Sequence, residues 1–500
     1  MVFVAAATDG MGDSSQDAAH ALVLAEERHA LGSSQTTLRG CPLTDQLNPQ
    51  FDRYRLILIS RSTRLVFAET SHRVSRLPRI SIPRWSRVAE QVQAKIEDQW
   101  GLKAVILDCL GECSGRDNIV LAEVISEDRL DVWPHRFSWT MFSNVSDDEI
   151  SGPDRSTIQM LLAIGDSGRG PFSRLGWTEE LLDWIEAETS IDRTLLSREI
   201  RHLNASATHS LVRLGSEGAS RLWFKAVAVR DDREFQLTTL LSRLFPTHLP
   251  PLLAARRDWN GWLMEDAGRP LEEIGSIRQH HLDQVGDSLA DLQLASVEKV
   301  DELIANGVQD QRMPALRTGT PGLLPYFEEA MRAQSFDSVP RFSARRLREV
   351  EAILHDACFR LEQLGIPYAL VHNDINLGNI LVGSDRCGFT DWASAGVSNP
   401  IVTLEQLKMQ LFQDKRTVPW IARISEAYRK RWREVILDDA IDQALALVPL
   451  IAIATQIWSR KEWVFSEQRH NPAVQSYLRS LMRHMSRAAE SPTILRALSA

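Results

Sequence analysis

Between residues 51 and 124 the apolar positions come in short runs separated by polar turns. Arg55-Leu-Ile-Leu-Ile-Ser60, Arg64-Leu-Val-Phe-Ala68, Val105-Ile-Leu107 and Ile119 to Val124 have the length and β-branched content of strands. Among them the spacing changes over Ser86 to Trp100, where Val88, Val92 and Ile96 recur at helical intervals and Gly101 ends the run. This pattern predicts a separate, β-rich α/β domain around one helix over residues 49–165. The preceding residues 1–48 are small, polar and acidic apart from a helical stretch at Ala18 to His29, and read as a mobile extension.

Two loop-like stretches, Ser143 to Asp154 and Gly165 to Gly176, flank a short helix, and the second is rich in Gly, Ser and Arg. Residues 166–199 therefore read as a linker that passes into the helical Trp177 to Ala187. A second β-rich stretch follows over 200–268. Leu211 to Val227 predicts two strands joined by a Gly-containing turn, Glu234 to Phe245 a helix starting near Asp231 and Asp232, and Trp262 to Gly268 a strand. Residues 269–500 are mainly helical in pattern, with Arg345 to Leu364 a clear example. The apolar run Ala444 to Thr455 is too short to span a bilayer, contains Pro449, and predicts a buried helix.

Composition adds limits. With 44% hydrophobic and 25% charged residues the 500-residue chain has the make-up of a soluble globular protein of two or three domains. A net charge of −9 argues against non-specific nucleic-acid binding. Residues 401–500 depart from that balance, with 15 Lys+Arg against 10 Asp+Glu. The five cysteines, Cys41, Cys109, Cys113, Cys358 and Cys387, are odd in number and scattered, which fits reduced thiols in the cytoplasm. Cys109 and Cys113 have no second pair to complete a zinc site. The apolar Val2 to Ala7 has no basic residues before it, so a secretory signal is not expected.

The segment with chemistry in it is Val371-His-Asn-Asp-Ile-Asn-Leu-Gly-Asn-Ile-Leu-Val382. A loop carboxylate, Asp374, is followed five residues later by Asn379, a neutral oxygen ligand for a hard cation. An apolar strand, a turn at Gly383 to Arg386 and Gly388-Phe-Thr-Asp391-Trp come next, a hairpin that ends by delivering a second carboxylate. Phosphoryl transfer needs such metal ligands, a cation on the phosphates and a carboxylate beside the attacking hydroxyl. The bland alternative is a surface loop with local turn bonds. Upstream, Lys225 lies between Phe224 and Ala226 inside a strand, where an unpaired ammonium is costly to bury. Trp223 shares its face. Glu234 is the one acidic residue in the body of the next helix and so the candidate partner for Lys225.

In these motifs the chain resembles the aminoglycoside phosphotransferase and choline kinase family, over roughly residues 200–415. The resemblance implies a bilobal protein-kinase-like α+β fold, with a small lobe at 200–268 and a large helical lobe at 269–500 that builds the acceptor pocket. It implies Asp374 as the catalytic base, His372 as a brace for the loop, and Asn379 and Asp391 as Mg²⁺ ligands. Lys225 would hold the α- and β-phosphates of ATP or GTP, Trp223 would stack on the base, and the backbone from Glu265 to Ala267 would meet the adenine edge. Two departures stand out. Asn373 replaces the family's Gly, and Asn376 replaces the His that commonly follows the aspartate. Gly215 and Gly218 permit a phosphate-covering loop without a full Gly-rich signature.

In the N-terminal domain, the helix closing Lys95-Ile-Glu-Asp-Gln-Trp-Gly101 resembles a Nudix helix, but the positions of the metal-binding glutamates hold Ala94, Lys95, Asp98 and Gln99. Such a domain would bind or pack rather than hydrolyse, and an unrelated α+β domain is the other reading. The expected activity is a kinase acting on a small hydroxylated acceptor with Mg²⁺ and ATP or GTP, with no nucleic-acid or membrane partner. A nucleotide-binding pseudokinase with a ligand-sensing N-terminal domain is the alternative, and a Nudix-type hydrolase is disfavoured by the missing glutamates. The basic C-terminal hundred residues argue against a polycationic acceptor.

Overall fold

The computed structural model describes residues 51–71, 74–83, 87–110, 118–125, 136–215, 221–227, 232–335, 340–460 and 467–499. The N-terminal extension with its helical stretch, Cys41, Cys113 and Gly218 lie outside these. Contacts divide the chain into two compact units: the described part of Pro42–Gly268 together with Gly388–Ala393, and Arg269–Cys387 together with Ser394–Ala500.

The first unit holds two sheets. Strands β1 (Phe51–Ser60), β2 (Val66–Ser71), β3 (Val74–Arg76), β4 (Arg79–Pro83), β5 (Ala104–Leu110), β6 (Asn118–Val124) and β7 (Phe137–Thr140) form the larger. Its pairings are antiparallel except for β1 with β6, which run parallel from Tyr54↔Asn118 to Ser60↔Val124. The continuous apolar run in β1 exists because both faces of the sheet are covered. Ile57 and Ile59 enter one core cluster, with Val105, Leu107 and Leu121. Leu56 and Leu58 enter another, with Ile106, Val120 and the helix α1 (Val88–Trp100). The expected helix is thus present, and Gly101 ends it in a left-handed conformation at φ 65° that closes back on Glu97 O. At the Nudix-like positions Ala94, Asp98 and Gln99 are exposed, and no group of three metal-ligating side chains occurs among the described residues.

The smaller sheet has the order β11-β12-β10-β9-β8, from strands β8 (Ile200–Ala205), β9 (Ser210–Leu214), β10 (Leu222–Ala226), β11 (Leu252–Arg256) and β12 (Gly261–Glu265). It shares a core with the larger one: Val212, Phe224 and Leu263 belong to the same cluster as Ile57 and Val105. The stretch 166–199 read as a linker supplies part of that core. Phe172 packs edge-on to Trp177 at 5.1 Å and to Trp259 at 5.5 Å between ring centres. Helix α2 (Gly152–Ile164) precedes this stretch, and α3 (Trp177–Thr189) lies within it. The helix expected after β10 is α4, Arg233–Leu244.

The second unit is helical around short strands. Its principal helices are α5 (Gln279–Ser296), α6 (Ala344–Gln363), α7 (Ile401–Leu411), α8 (Trp420–Trp432), α9 (Asp438–Trp458) and α10 (Pro472–Ala489). The expected helix at 345–364 is α6. The apolar run at 444–455 is the middle of α9, which has 21 residues, longer than the run suggested and long enough by length and composition to cross a bilayer. Its apolar window is 61% buried inside the protein, and it packs on α6, α7 and α10, so it is a core helix. Among these helices sit β14 (Gln309–Asp310), β15 (Ala369–Val371) and β18 (Gly396–Ser398), after β13 (Arg269–Pro270) and with β16 (Ile380–Val382) and β17 (Cys387–Phe389) between. β18 pairs antiparallel with β15 and parallel with β14.

Candidate active site

Burial along β10 alternates, so Leu222, Phe224 and Ala226 face the core while Trp223 and Lys225 share the other face. Opposite Lys225 in the register is Trp262, and the ammonium lies 5.8 Å from the centre of that ring. Trp223, paired with Met264, packs half-buried against Val227, Phe235, Trp262 and Met264.

The ammonium of Lys225 has two carboxylate partners. It donates to Glu234 Oε1 at 2.5 Å and to Asp391 Oδ1 at 3.2 Å. Glu234 stands in the first turn of α4. Asp391 follows β17, whose Phe389 N–H is tied to His248 O at 2.9 Å, and takes a left-handed backbone at φ 73° that costs a non-glycine residue energy. Burial alone would push the lysine toward neutrality, but Asp391 and Glu234 outweigh it and hold its pKa above the usual value. Burial lifts the Glu234 carboxyl, against the pull of Lys225 and with the push of Asp391. One cation between two buried carboxylates leaves an excess negative charge, which a further cation would relieve.

At the expected hinge, Glu265 N–H donates to Pro251 O at 3.0 Å and Asp266 N–H to Arg221 O at 3.3 Å. The Ala267 amide has no hydrogen-bond partner among the described residues. Glu265 is exposed at the end of its strand.

In the second unit β15 delivers the loop that begins at His372. Leu370 is fixed by Ser296 Oγ, which accepts its N–H at 2.8 Å. His372 is buried, donates its own N–H to Thr403 Oγ1 at 3.2 Å, and accepts the Asp374 N–H on Nδ1 at 3.3 Å. That bond ties the backbone at the start of the loop to the imidazole ring.

Asn373 explains one departure from the family pattern. Its backbone is left-handed at φ 58°, a conformation that favours glycine and that asparagine tolerates. The side chain is also engaged: Nδ2 donates to Gln311 Oε1 at 2.8 Å and Ser394 O at 3.0 Å, and Oδ1 accepts from Gln406 at 3.2 Å. Gln311 in turn lies where Gly396 leaves room, since a Cβ on Gly396 would come within 2.6 Å of it.

Asn376 explains the other. It caps the short 3₁₀ turn Leu377–Asn379, accepting the N–H groups of Gly378 at 2.9 Å and Asn379 at 3.2 Å, while its amide donates to Asp374 O at 3.2 Å. Asn379 Nδ2 donates to the same carbonyl at 3.0 Å.

The sequence reading had no place for Arg460. Two residues past the end of α9, it is 7% exposed and its Nη2 lies 3.2 Å from Asp374 Oδ1, with the aspartate side chain 18% exposed. No local spacing signals this, because the two residues are 86 apart in the chain.

No curated protein matches the chain in sequence. Solved structures similar to it include a macrolide 2'-phosphotransferase from Brachybacterium faecium, 14% identical, with 60% of this chain and 96% of that one covered at a TM-score of 0.39. Others are a Plasmodium vivax ethanolamine kinase (13%, 70% and 97% covered, TM-score 0.43) and a choline kinase from Cryptosporidium parvum Iowa II (13%, 61% and 95% covered, TM-score 0.38). Residues 226–445 match the model of the phosphotransferase enzyme family. Over residues 226–445, less than half of its length, the chain is thus similar to the phosphotransferase enzyme family.

Proposed function

We propose that the protein is a small-molecule kinase that moves the γ-phosphoryl group of ATP or GTP to a hydroxyl of a small acceptor. The observation that carries this is the buried Lys225–Glu234–Asp391 cluster, a fixed ammonium whose second carboxylate comes from the hairpin after the Asp374 loop. Lys225 holds the α- and β-phosphates, oriented by Glu234, with Trp223 against the base and the Ala267 amide at its edge. Asp374 accepts the proton of the acceptor hydroxyl as its oxygen bonds to the γ-phosphorus and the bond to the β-phosphate bridging oxygen breaks. His372 keeps the loop that carries Asp374 in place.

Asn379 Oδ1 and the Asp391 carboxylate are hard oxygen donors of the kind magnesium takes, and two protein ligands suffice for an ion that keeps waters and phosphate oxygens. Magnesium held there would supply charge neutralisation on the phosphates.

Calorimetric titration of ATP and GTP, with and without Mg²⁺, tests the nucleotide end. Wild type should bind one of them more tightly with the metal, and Asn379→Ala and Asp391→Asn should lose that gain. Binding indifferent to Mg²⁺ in all three proteins would remove the support for these ligands.

A further inference from the structure

We infer that Arg460 selects an acceptor bearing an anionic group, a carboxylate or phosphate, close to the hydroxyl that is phosphorylated. The inference rests on the reading of Asp374 as the base. An acceptor hydroxyl that meets Asp374 also meets the guanidinium 3.2 Å from Asp374 Oδ1.

That guanidinium is held from behind. Its Nη1 donates to Gln456 O at 3.3 Å and Ser459 Oγ at 3.2 Å, and its carbon sits 5.7 Å from the centre of the Tyr477 ring. Tyr477 Oη is tied to Gln456 Nε2 at 3.0 Å, so α9 and α10 together fix the cation. A positive charge at the C-terminal end of a helix is also favoured by the helix dipole.

An ammonium brought to Asp374 would face this fixed positive charge at short range in a poorly solvated place, while an anion would be attracted. Arginine also suits carboxylate and phosphate by shape.

Three acceptors of matched size test this with the full chain and Mg²⁺-ATP: glycerate, glycerol and 3-amino-1,2-propanediol. Transfer is followed by ADP release and product phosphorus resonance, and binding by ligand line-broadening with a non-hydrolysable ATP analogue. Wild type should favour glycerate over the aminodiol by about tenfold or more in kcat/KM or in affinity. Arg460→Gln should abolish the preference mainly through KM, and Arg460→Lys should keep part of it. Melting temperature and nucleotide affinity identify variants that remain folded. A wild type that favours the ammonium compound or engages none of the three overturns the inference, and so does a folded Arg460→Gln with the ranking unchanged. If Asp374→Asn still transfers phosphate, the assignment of the base fails. If that variant is dead but the ranking ignores Arg460, the inference alone fails.

Discussion

Lys225 Nζ stands 3.2 Å from Asp391 Oδ1 while it also binds Glu234, so one buried ammonium is shared by a helix carboxylate and a hairpin carboxylate. Breaking a buried pair by removing one partner costs more than the pair contributes, because the remaining charge is left uncompensated.

Lys225→Met should therefore destabilise the protein by about 3–5 kcal/mol in urea unfolding. Adding Glu234→Gln should recover part of that loss, since it removes one of the stranded charges. A double variant no more stable than the single would contradict the shared-cation account. Both should lose nucleotide affinity.

The Asn373 position opposes two effects. Glycine would relieve the left-handed backbone at φ 58°, but it would strand Gln311 Oε1 and Ser394 O, which now accept from the asparagine amide. Stranded buried groups cost about 1–3 kcal/mol each and backbone relief no more than about 1 kcal/mol, so Asn373→Gly should destabilise. Gly396→Ala should act on the same network by displacing Gln311, and the two losses should be less than additive. Thermal melts of the two single variants and the double variant measure this.

His202 offers a test by pH. It is fully buried in β8, edge-on to Trp177 at 5.7 Å, with no hydrogen-bond partner for either ring nitrogen among the described residues, and burial pushes its pKa down to about 3. Below the ordinary histidine value of about 6.5 the unfolded chain binds a proton that the folded chain refuses. Stability should thus fall as pH drops from 6.5 toward 3, by up to about 1.4 kcal/mol per unit from this residue. His202→Phe should fall less steeply over the same range in urea melts at pH 7, 6 and 5. Equal slopes in the two proteins would show that the imidazole does not carry this effect.

Features that depend on local spacing were legible in the sequence. The strand runs of β1, β5 and β6, the helical spacing of α1 with its closing Gly101, and the loop from His372 to Asn379 all express themselves within a dozen residues. Lys225 and Glu234 were pairable because they lie nine residues apart on adjacent elements. Relationships made only by the tertiary fold were not legible. Trp262 beside Lys225 comes from strand register, and Arg460 beside Asp374 comes from the way α9 ends. Phe172 is buried although its neighbours are the Gly, Ser and Arg of a loop, because the aromatic cluster with Trp177 and Trp259 draws it in. The short strands β3 and β7 carry too few residues for an alternation to register. Asn373 and Asn376 read as departures from a family pattern, and only their bonds reveal them as a tolerated left-handed residue and a cap.

The most direct measurement is transfer of labelled γ-phosphate from ATP or GTP to a panel of sugars, amino alcohols, hydroxy acids and antibiotics, with wild type and Asp374→Asn side by side. The account predicts a phosphorylated acceptor with wild type, and a rate about 10²–10⁴-fold lower with Asp374→Asn at unchanged nucleotide affinity. Nucleotide binding without transfer or hydrolysis in either protein, or equal rates in both, would contradict it.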